Sequence, residues 1–259
     1  MWTSLLSLLV FQVLVFQAFG QSFDGACSEN GEGLGPGALA LGGTGRAAVD
    51  PASPNLNPAS IAHLNGYFIT LRSCQYQKEP LRKSLVLADH SPDSIVAGSL
   101  VYSEPNSWNL ALANYLGLVT SAGIAIRKTK LGENKVLNFD LGLLHAAREN
   151  FGIGLVAYNL SPSSFQKISW GGGVNYIFHE FLKVRFDIVQ ELDAVISQLG
   201  LESQLNQWFA LRFGTSSNNL NSFGVGFVGP KFWINYSYIK STFAESSASH
   251  SIDLVLPLW

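Results

Sequence analysis

The chain has 259 residues, 47% of them hydrophobic and only 13% charged, with a formal net charge of −2 and a mean hydropathy of +0.20. Soluble domains average about 25% charged residues, so this chain lacks much of the usual means of covering a water-facing surface. The absence of a basic cluster excludes a nucleic-acid partner, and no apolar run past the N-terminus approaches the roughly 18 residues of a membrane helix.

In chain order, residues 1–20 have an apolar centre from Leu5 to Phe16 and end in Ala18-Phe19-Gly20. This small-x-small pattern predicts a signal peptide cleaved before Gln21, although the usual basic start is missing. Cys27 and Cys74 are the only cysteines. One disulfide, closing the N-terminal segment onto the first strand, and two free thiols both fit that count.

Residues 34–64, within an N-terminal unit spanning 21–64, are rich in Gly, Ala and Pro and nearly free of charge. They are too apolar for a disordered tail and too full of Gly and Pro for a stable helix or strand. Such a segment needs something around it.

From residue 65 to 259 the pattern has period two. Leu137, Phe139, Leu141 and Leu143 alternate with Asn138, Asp140 and Gly142; Leu182, Val184, Phe186 and Ile188 alternate with Lys183, Arg185 and Asp187. Each strand therefore has one oily face and one small or polar face. The second face holds glycines (Gly98, Gly123, Gly142, Gly171, Gly173, Gly224) where a soluble sandwich would carry Lys, Glu and Thr. Glycine suits a concave interior that another piece of chain approaches closely, so the oily face is assigned to lipid and the other to a lumen. The predicted fold is a transmembrane antiparallel up-and-down β-barrel of about 14 strands, range 12–14. The expected strands are 66–73, 82–89, 94–103, 107–115, 118–128, 134–145, 150–159, 166–178, 181–191, 195–205, 207–215, 221–229, 231–240 and 249–259.

Odd-numbered connections are expected to be the longer and more polar set, as in outer-membrane barrels. Trp108, Trp170, Trp208 and Trp233 fall near predicted strand ends, as an interfacial girdle requires. The last strand alternates Ile252, Leu254, Leu256 and Leu258 and ends in Trp259, like the C-terminal signal read by the barrel-assembly machinery. Trp259 is one position out of step with that row, a mismatch that a bulge at Pro257 would repair.

The series Gly42-Gly43-Thr44-Gly45, Asp50, Ser53 and Asn57-Pro58-Ala59 resembles the N-terminal signature of the FadL-type fatty-acid transporters and the related PorV-type outer-membrane proteins. Leu56 stands where that signature has an aromatic, and Ser60 where it has Gly. The resemblance implies that the segment before the first strand folds back as a hatch in the lumen. Beside it, the physical reading is that small residues fit a narrow barrel, and that Asn57 satisfies backbone groups water cannot reach. Arg46 and Asp50 are expected to pair with each other or with lumen-facing Arg185, Asp187 and Arg212.

No cofactor or metal motif is present. His63, His90, His145, His179 and His250 are scattered, and adjacent His250 and Ser251 point to opposite faces of a strand, so an enzyme is not expected. The functions in view are passive passage of a small hydrophobic compound across the bacterial outer membrane, or a plugged barrel that scaffolds a secreted or surface protein through loops 160–165 and 241–248. A third is a soluble secreted β-protein.

Overall fold

The structure is a computed structural model that describes residues 34–51, 54–76, 81–91, 94–104, 107–131, 134–148, 150–161, 167–179, 181–191, 194–241 and 248–258. After a short helix α1 (Pro36–Ala40) and a 3-10 helix (Pro58–His63), the chain is built of strands. These are β1 (Gly66–Tyr76), β2 (Arg82–His90), β3 (Ala97–Ser103), β4 (Ser107–Tyr115), β5 (Thr120–Leu131), β6 (Asn134–Arg148) and β7 (Phe151–Tyr158). They continue as β8 (Ser169–Phe178), β9 (Leu182–Glu191), β10 (Ala194–Gln204), β11 (Phe209–Ser216), β12 (Leu220–Val228), β13 (Trp233–Ser241) and β14 (Ala248–Leu258). Each pairs antiparallel with its sequence neighbours, and β14 returns to β1 with Leu71 opposite Leu254, so the sheet is a closed barrel of 14 strands.

The pleat sorts the residues. In β6, Leu137, Phe139, Leu141 and Leu143 are exposed on the outer face, while Val136, Asn138, Asp140 and Leu144 are buried on the inner one. In β9, Ile188 faces outward and Arg185, Asp187 and Val189 inward. The polar interior and apolar exterior reverse the arrangement of a soluble sandwich, and closure leaves no edge strand to pair with another chain. Among the described residues, no helix is long and apolar enough to cross a membrane.

The interior divides in two. On the β1–β5 side, Ile61, Ala62 and Leu64 pack against Phe68, Ala88, Ala97, Ala111, Ala113 and Ala125, with Val255 of β14 completing an apolar core. The opposite wall, β7–β12, presents mainly glycines and polar side chains. One irregularity breaks the ladders: His145 pairs Ile153, but the next pair is Arg148 with Phe151, so Ala146 and Ala147 of β6 together oppose Gly152 of β7. That is a β-bulge.

Several sequence expectations need correction. Trp233 does not join a girdle; it shares the inner face of β13 with Asn235 and Ser237 and packs on Phe68 at 5.8 Å. Trp108 and Trp170 are exposed on the outer face, and Trp208 stacks on Phe227 at 6.3 Å. Gly98 lies on the outer face, where the side chain of Leu112 covers it. Pro257 carries no bulge: the β1–β14 ladder runs unbroken from Ser249 to Leu258, with Pro257 inward and Ile252 and Leu258 outward. Trp259 lies outside the described residues.

The connection lengths also separate less than expected. Those at 132–133 and 192–193 are odd-numbered yet hold two residues each, because β5 and β10 extend their pairing into stretches that looked like loop. The parity rests on 159–168 and 242–247. Most of 160–165 and 241–248 lies outside the described residues.

Leu141 sits at the middle of β6 on the outer face. Leu141→Arg is expected to destabilise the barrel in bilayers by about 2–4 kcal/mol, measured by denaturant unfolding in lipid vesicles.

Candidate functional site: the occupied lumen

The inward-folded segment is shaped by its glycines and prolines. Pro36 starts α1, where its missing N–H costs nothing. Gly42 and Gly43 end it with φ of 72° and 85°. Gly42 N–H donates to the Leu39 carbonyl at 3.2 Å and Gly43 N–H to that of Ala38 at 2.9 Å, the bond pair of a Schellman cap, which a side chain would oppose. At the second helix, Asn57 caps Pro58-Ala59: its Oδ1 accepts the Ala59 N–H at 3.0 Å.

Asn57 does more than cap. Fully buried, it donates both amide hydrogens, to the Arg46 carbonyl at 2.8 Å and to the Leu143 carbonyl of β6 at 3.0 Å. One side chain thus ties the two turns of the segment to each other and to the wall. Across the lumen, Oδ2 of buried Asp187 accepts from Gly45 N–H at 2.9 Å, Arg46 N–H at 3.0 Å and the Arg46 guanidinium at 3.1 Å. The same guanidinium donates to Gln198 Oε1 at 3.0 Å. Ser222 accepts Gly42 N–H and donates to the Ala40 carbonyl, each at 3.0 Å. Tyr158 OH donates to the Leu56 carbonyl at 2.6 Å, Ser121 to that of Ala59 at 2.8 Å, and Asn109 to Asn55 Oδ1. Backbone groups that have left water are thereby paired from β4 round to β12.

The wall makes room where the segment touches it. A Cβ on Gly154 would coincide with the Arg46 carbonyl, one on Gly142 with Asn57 Oδ1, one on Gly123 with the backbone of Pro58 and Ala59, and one on Gly214 with Gly42 N. A different use appears at Gly226, where the Arg212 guanidinium lies 2.8 Å from the Cβ position. The bare β12 backbone lets Arg212 reach across to Asn235 of β13 at 2.8 Å.

Arg212 belongs to a buried polar chain around the inner wall. Lys183 pairs with Glu202 at 2.7 Å, Glu202 with Arg212 Nε at 2.6 Å, and Asn235 donates to Asp253 at 2.8 Å, with Arg72 opposite Asp253 in the β1–β14 register. A second pair, Arg127–Asp140 at 3.2 Å, lies on β5 and β6.

Of the sequence-derived residues, Gly42, Gly43, Gly45, Asn57, Pro58 and Ala59 meet inside the barrel; Asp50 lies close to Gly37, and Ser53 is outside the described residues. Arg46 pairs with Asp187. His250 and Ser251 face opposite sides, and His250 bonds Tyr236 OH at 2.8 Å. Cys74 is disulfide-bonded; Cys27, the other cysteine of the sequence, lies outside the described residues. Among the described residues no three His, Cys, Asp or Glu gather in a way that would hold a metal ion.

A cluster that sequence reasoning missed pins the exit of the segment. His63 Nε2 lies 3.0 Å from Ser121 Oγ and its Nδ1 3.5 Å from Tyr115 OH, while His90 Nδ1 donates to the Leu64 carbonyl at 2.8 Å. The participants are spread from residue 63 to 121, so no local signal could have gathered them. Burial, then the neighbouring His90, lowers the His63 pKa below its ordinary value.

No protein-family model matches the sequence, and no curated protein is similar to it. Solved structures are similar in fold. The toluene transporter TbuX of Ralstonia pickettii is 12% identical with a TM-score of 0.62, over 87% of this chain and 97% of that one. A FadL homologue of Pseudomonas aeruginosa is 9% identical with a TM-score of 0.63, over 86% and 98%. The toluene transporter TodX of Pseudomonas putida is 12% identical with a TM-score of 0.59, over 86% and 97%. At such identities the likeness is one of fold.

Asp187→Ala strands a buried guanidinium and two N–H groups, and is expected to cost about 3–5 kcal/mol, read as faster protease cleavage within 34–64. Gly154→Val is expected to expel the segment in the same assay, whereas Gly117→Ala, with open space around it, leaves cleavage unchanged. Because the folded-state pKa of His63 is depressed, the seated form favours neutral imidazole. Its contribution is complete above the unfolded value of about 6.5 and is lost as pH falls below it. Cleavage should therefore rise between pH 7.5 and 5, and His63→Gln should flatten that profile.

Proposed function

We propose that this chain is a bacterial outer-membrane β-barrel of the FadL type that gives passage to a small hydrophobic compound. In this reading, residues 1–20 direct export, the last strand is read by the barrel-assembly machinery, and the ladder of apolar side chains on the outer face meets lipid. Residues 34–64 act as the hatch. The even-numbered turns, on the rim where β1 starts and β14 ends, face the periplasm.

The observation that carries the proposal is a closed barrel with its own N-terminal segment seated across the lumen, in a fold shared with two toluene transporters. The bulge in β6 supports it further. The wall loses one rung beside the hatch, at Gly152, whose lumen side faces the Ala47 carbonyl. A break in the ladder next to a displaceable segment is where a compound can leave the lumen sideways into the membrane.

The close seating of the segment against wall glycines favours a second reading, a barrel sealed for good that serves as a scaffold for a secreted or surface protein. Uptake separates the two. Expressed in a Gram-negative host with an intact lipopolysaccharide barrier, the full chain should raise the rate of toluene entry severalfold over an empty-vector control. Deletion of 34–60 should add leakage of hydrophilic solutes. Toluene entry equal to the control, with the barrel folded in the outer membrane, would overturn the passage reading.

A further inference from the structure

Charged side chains are rare on the lipid-facing wall, and they are sorted by end. Among the described strand side chains, the outward-facing lysines are Lys83 on β2, Lys128 on β5 and Lys240 on β13, all exposed and all close to an odd-numbered connection. The outward-facing carboxylate among them, Asp89, lies at the other end of β2, where it accepts the Ser91 N–H at 2.9 Å. None of the three lysines is in an ion pair among the described residues. The carboxylate beside Lys83, that of Glu104, takes the Lys83 backbone N–H at 3.2 Å.

Two of these lysines frame a continuous polar patch. His250 of β14 stands opposite Tyr238 of β13 on one side and Gln75 of β1 on the other. Lys240 follows Tyr238 by two on the same outer face, and Lys83 lies opposite Ser73, two before Gln75. The series Lys240, His250, Gln75, Lys83 thus crosses four adjacent strands, a span of roughly 14 Å at about 4.8 Å per strand. Tyr236 OH is hydrogen-bonded to His250 Nδ1 at 2.8 Å and Tyr238 packs on the same ring at 5.2 Å, so the imidazole is held while its Nε2 has no partner among the described residues. Lys128 has no such company: Trp108 and Leu137 flank it in the β4–β5 and β5–β6 ladders.

A lysine on a wall that faces hydrocarbon lays its stem along the apolar surface and carries its ammonium to an anionic head group. A phospholipid with one phosphate would engage one lysine and leave the rest of the patch against its tails. A head group with an anion at each end and hydroxyls between them matches the order ammonium, imidazole, amide, ammonium. We propose that the outer face of β13, β14, β1 and β2 binds a glycolipid whose sugar head group carries a phosphate at each end. Lys240 and Lys83 hold the phosphates, and His250 and Gln75 meet the sugar hydroxyls between them. Placing that lipid in the outer leaflet rests on the orientation proposed above; binding itself does not.

The test is native mass spectrometry of the detergent-purified full chain titrated with bisphosphorylated lipid A, monophosphorylated lipid A or phosphatidylglycerol, with heat-dependent gel mobility as the check on folding. Bisphosphorylated lipid A should bind wild type best, and Lys83→Gln and Lys240→Gln should each weaken it about fivefold. His250→Ala should weaken it severalfold, and Lys128→Gln should leave it unchanged. Monophosphorylated lipid A should bind wild type about as weakly as the bisphosphorylated form binds either lysine variant, a comparison that stands even where a variant fails to fold. Equal binding of phosphatidylglycerol or of the monophosphorylated form overturns the site, as does a loss in Lys128→Gln as large as that in Lys240→Gln, since charge alone would then be read. Lipid A binding without toluene entry in cells would remove the passage reading and leave the site; toluene entry without lipid A binding would do the reverse.

Discussion

The contact between Arg46 and Asp187 joins the two problems this molecule has to solve. A chain folded back into a barrel gives up water along its backbone, and a charged residue on it gives up more. Oδ2 of Asp187 answers both, since it neutralises the guanidinium and accepts the N–H groups of Gly45 and Arg46. The rest of the seat depends on it. With Gly45 and Arg46 fixed on β9, the Arg46 carbonyl is placed against Gly154 of β7 and becomes the acceptor for Asn57, which in turn starts the 3-10 helix leading to β1.

From that point the lumen has two sides with different physics. The 3-10 helix buries Ile61, Ala62 and Leu64 among the alanines of β2–β5, where small side chains let a helix lie close to a sheet and apolar burial supplies the attraction. α1 and the glycine turn after it lie against β9–β13, where Leu39 and Leu41 are buried against a wall rich in glycine and polar side chains, and hydrogen bonds to Ser222, Gln198 and Asp187 fix the turn. Polar contacts of this kind contribute little net attraction in water, but leaving one unmade in a dry lumen is expensive. The apolar side therefore supplies adhesion and the polar side supplies position. A compound moving past the hatch would more easily disturb the second.

Much of the fold was legible in the residues because a two-residue period says which side chains share a face before anything is known of their neighbours. Leu141 outside and Gly142 inside follow from alternation, and the scarcity of Lys and Glu on the non-oily face settles which side is the lumen. Asn57 was recognisable as a residue that must satisfy backbone, though nothing local indicated that its partners would be the carbonyls of Arg46 and Leu143. Trp233 and Gly98 were misplaced because each sits at a strand start, beside a stretch whose own alternation is weak; the phase of the rest of the strand puts Trp233 inside with Asn235 and Gly98 outside, out of step with Ala97 and Ser99. The cluster of His63, His90, Tyr115 and Ser121 was invisible because the pairing of β2 to β5 and the seating of the 3-10 helix against them, not sequence proximity, bring those four together.

By itself the sequence determined the class of solvent on each side of the sheet, the approximate number of strands, and the need of residues 34–64 for an enclosure, all of which follow from local pattern and composition. Tertiary structure alone decided which partners the charges take. Arg46 pairs with Asp187, and Arg212 crosses the bare backbone of β12 to Asn235. Pairing depends on the register and closure of the whole barrel, a property of the ladders taken together that no stretch of the chain carries alone.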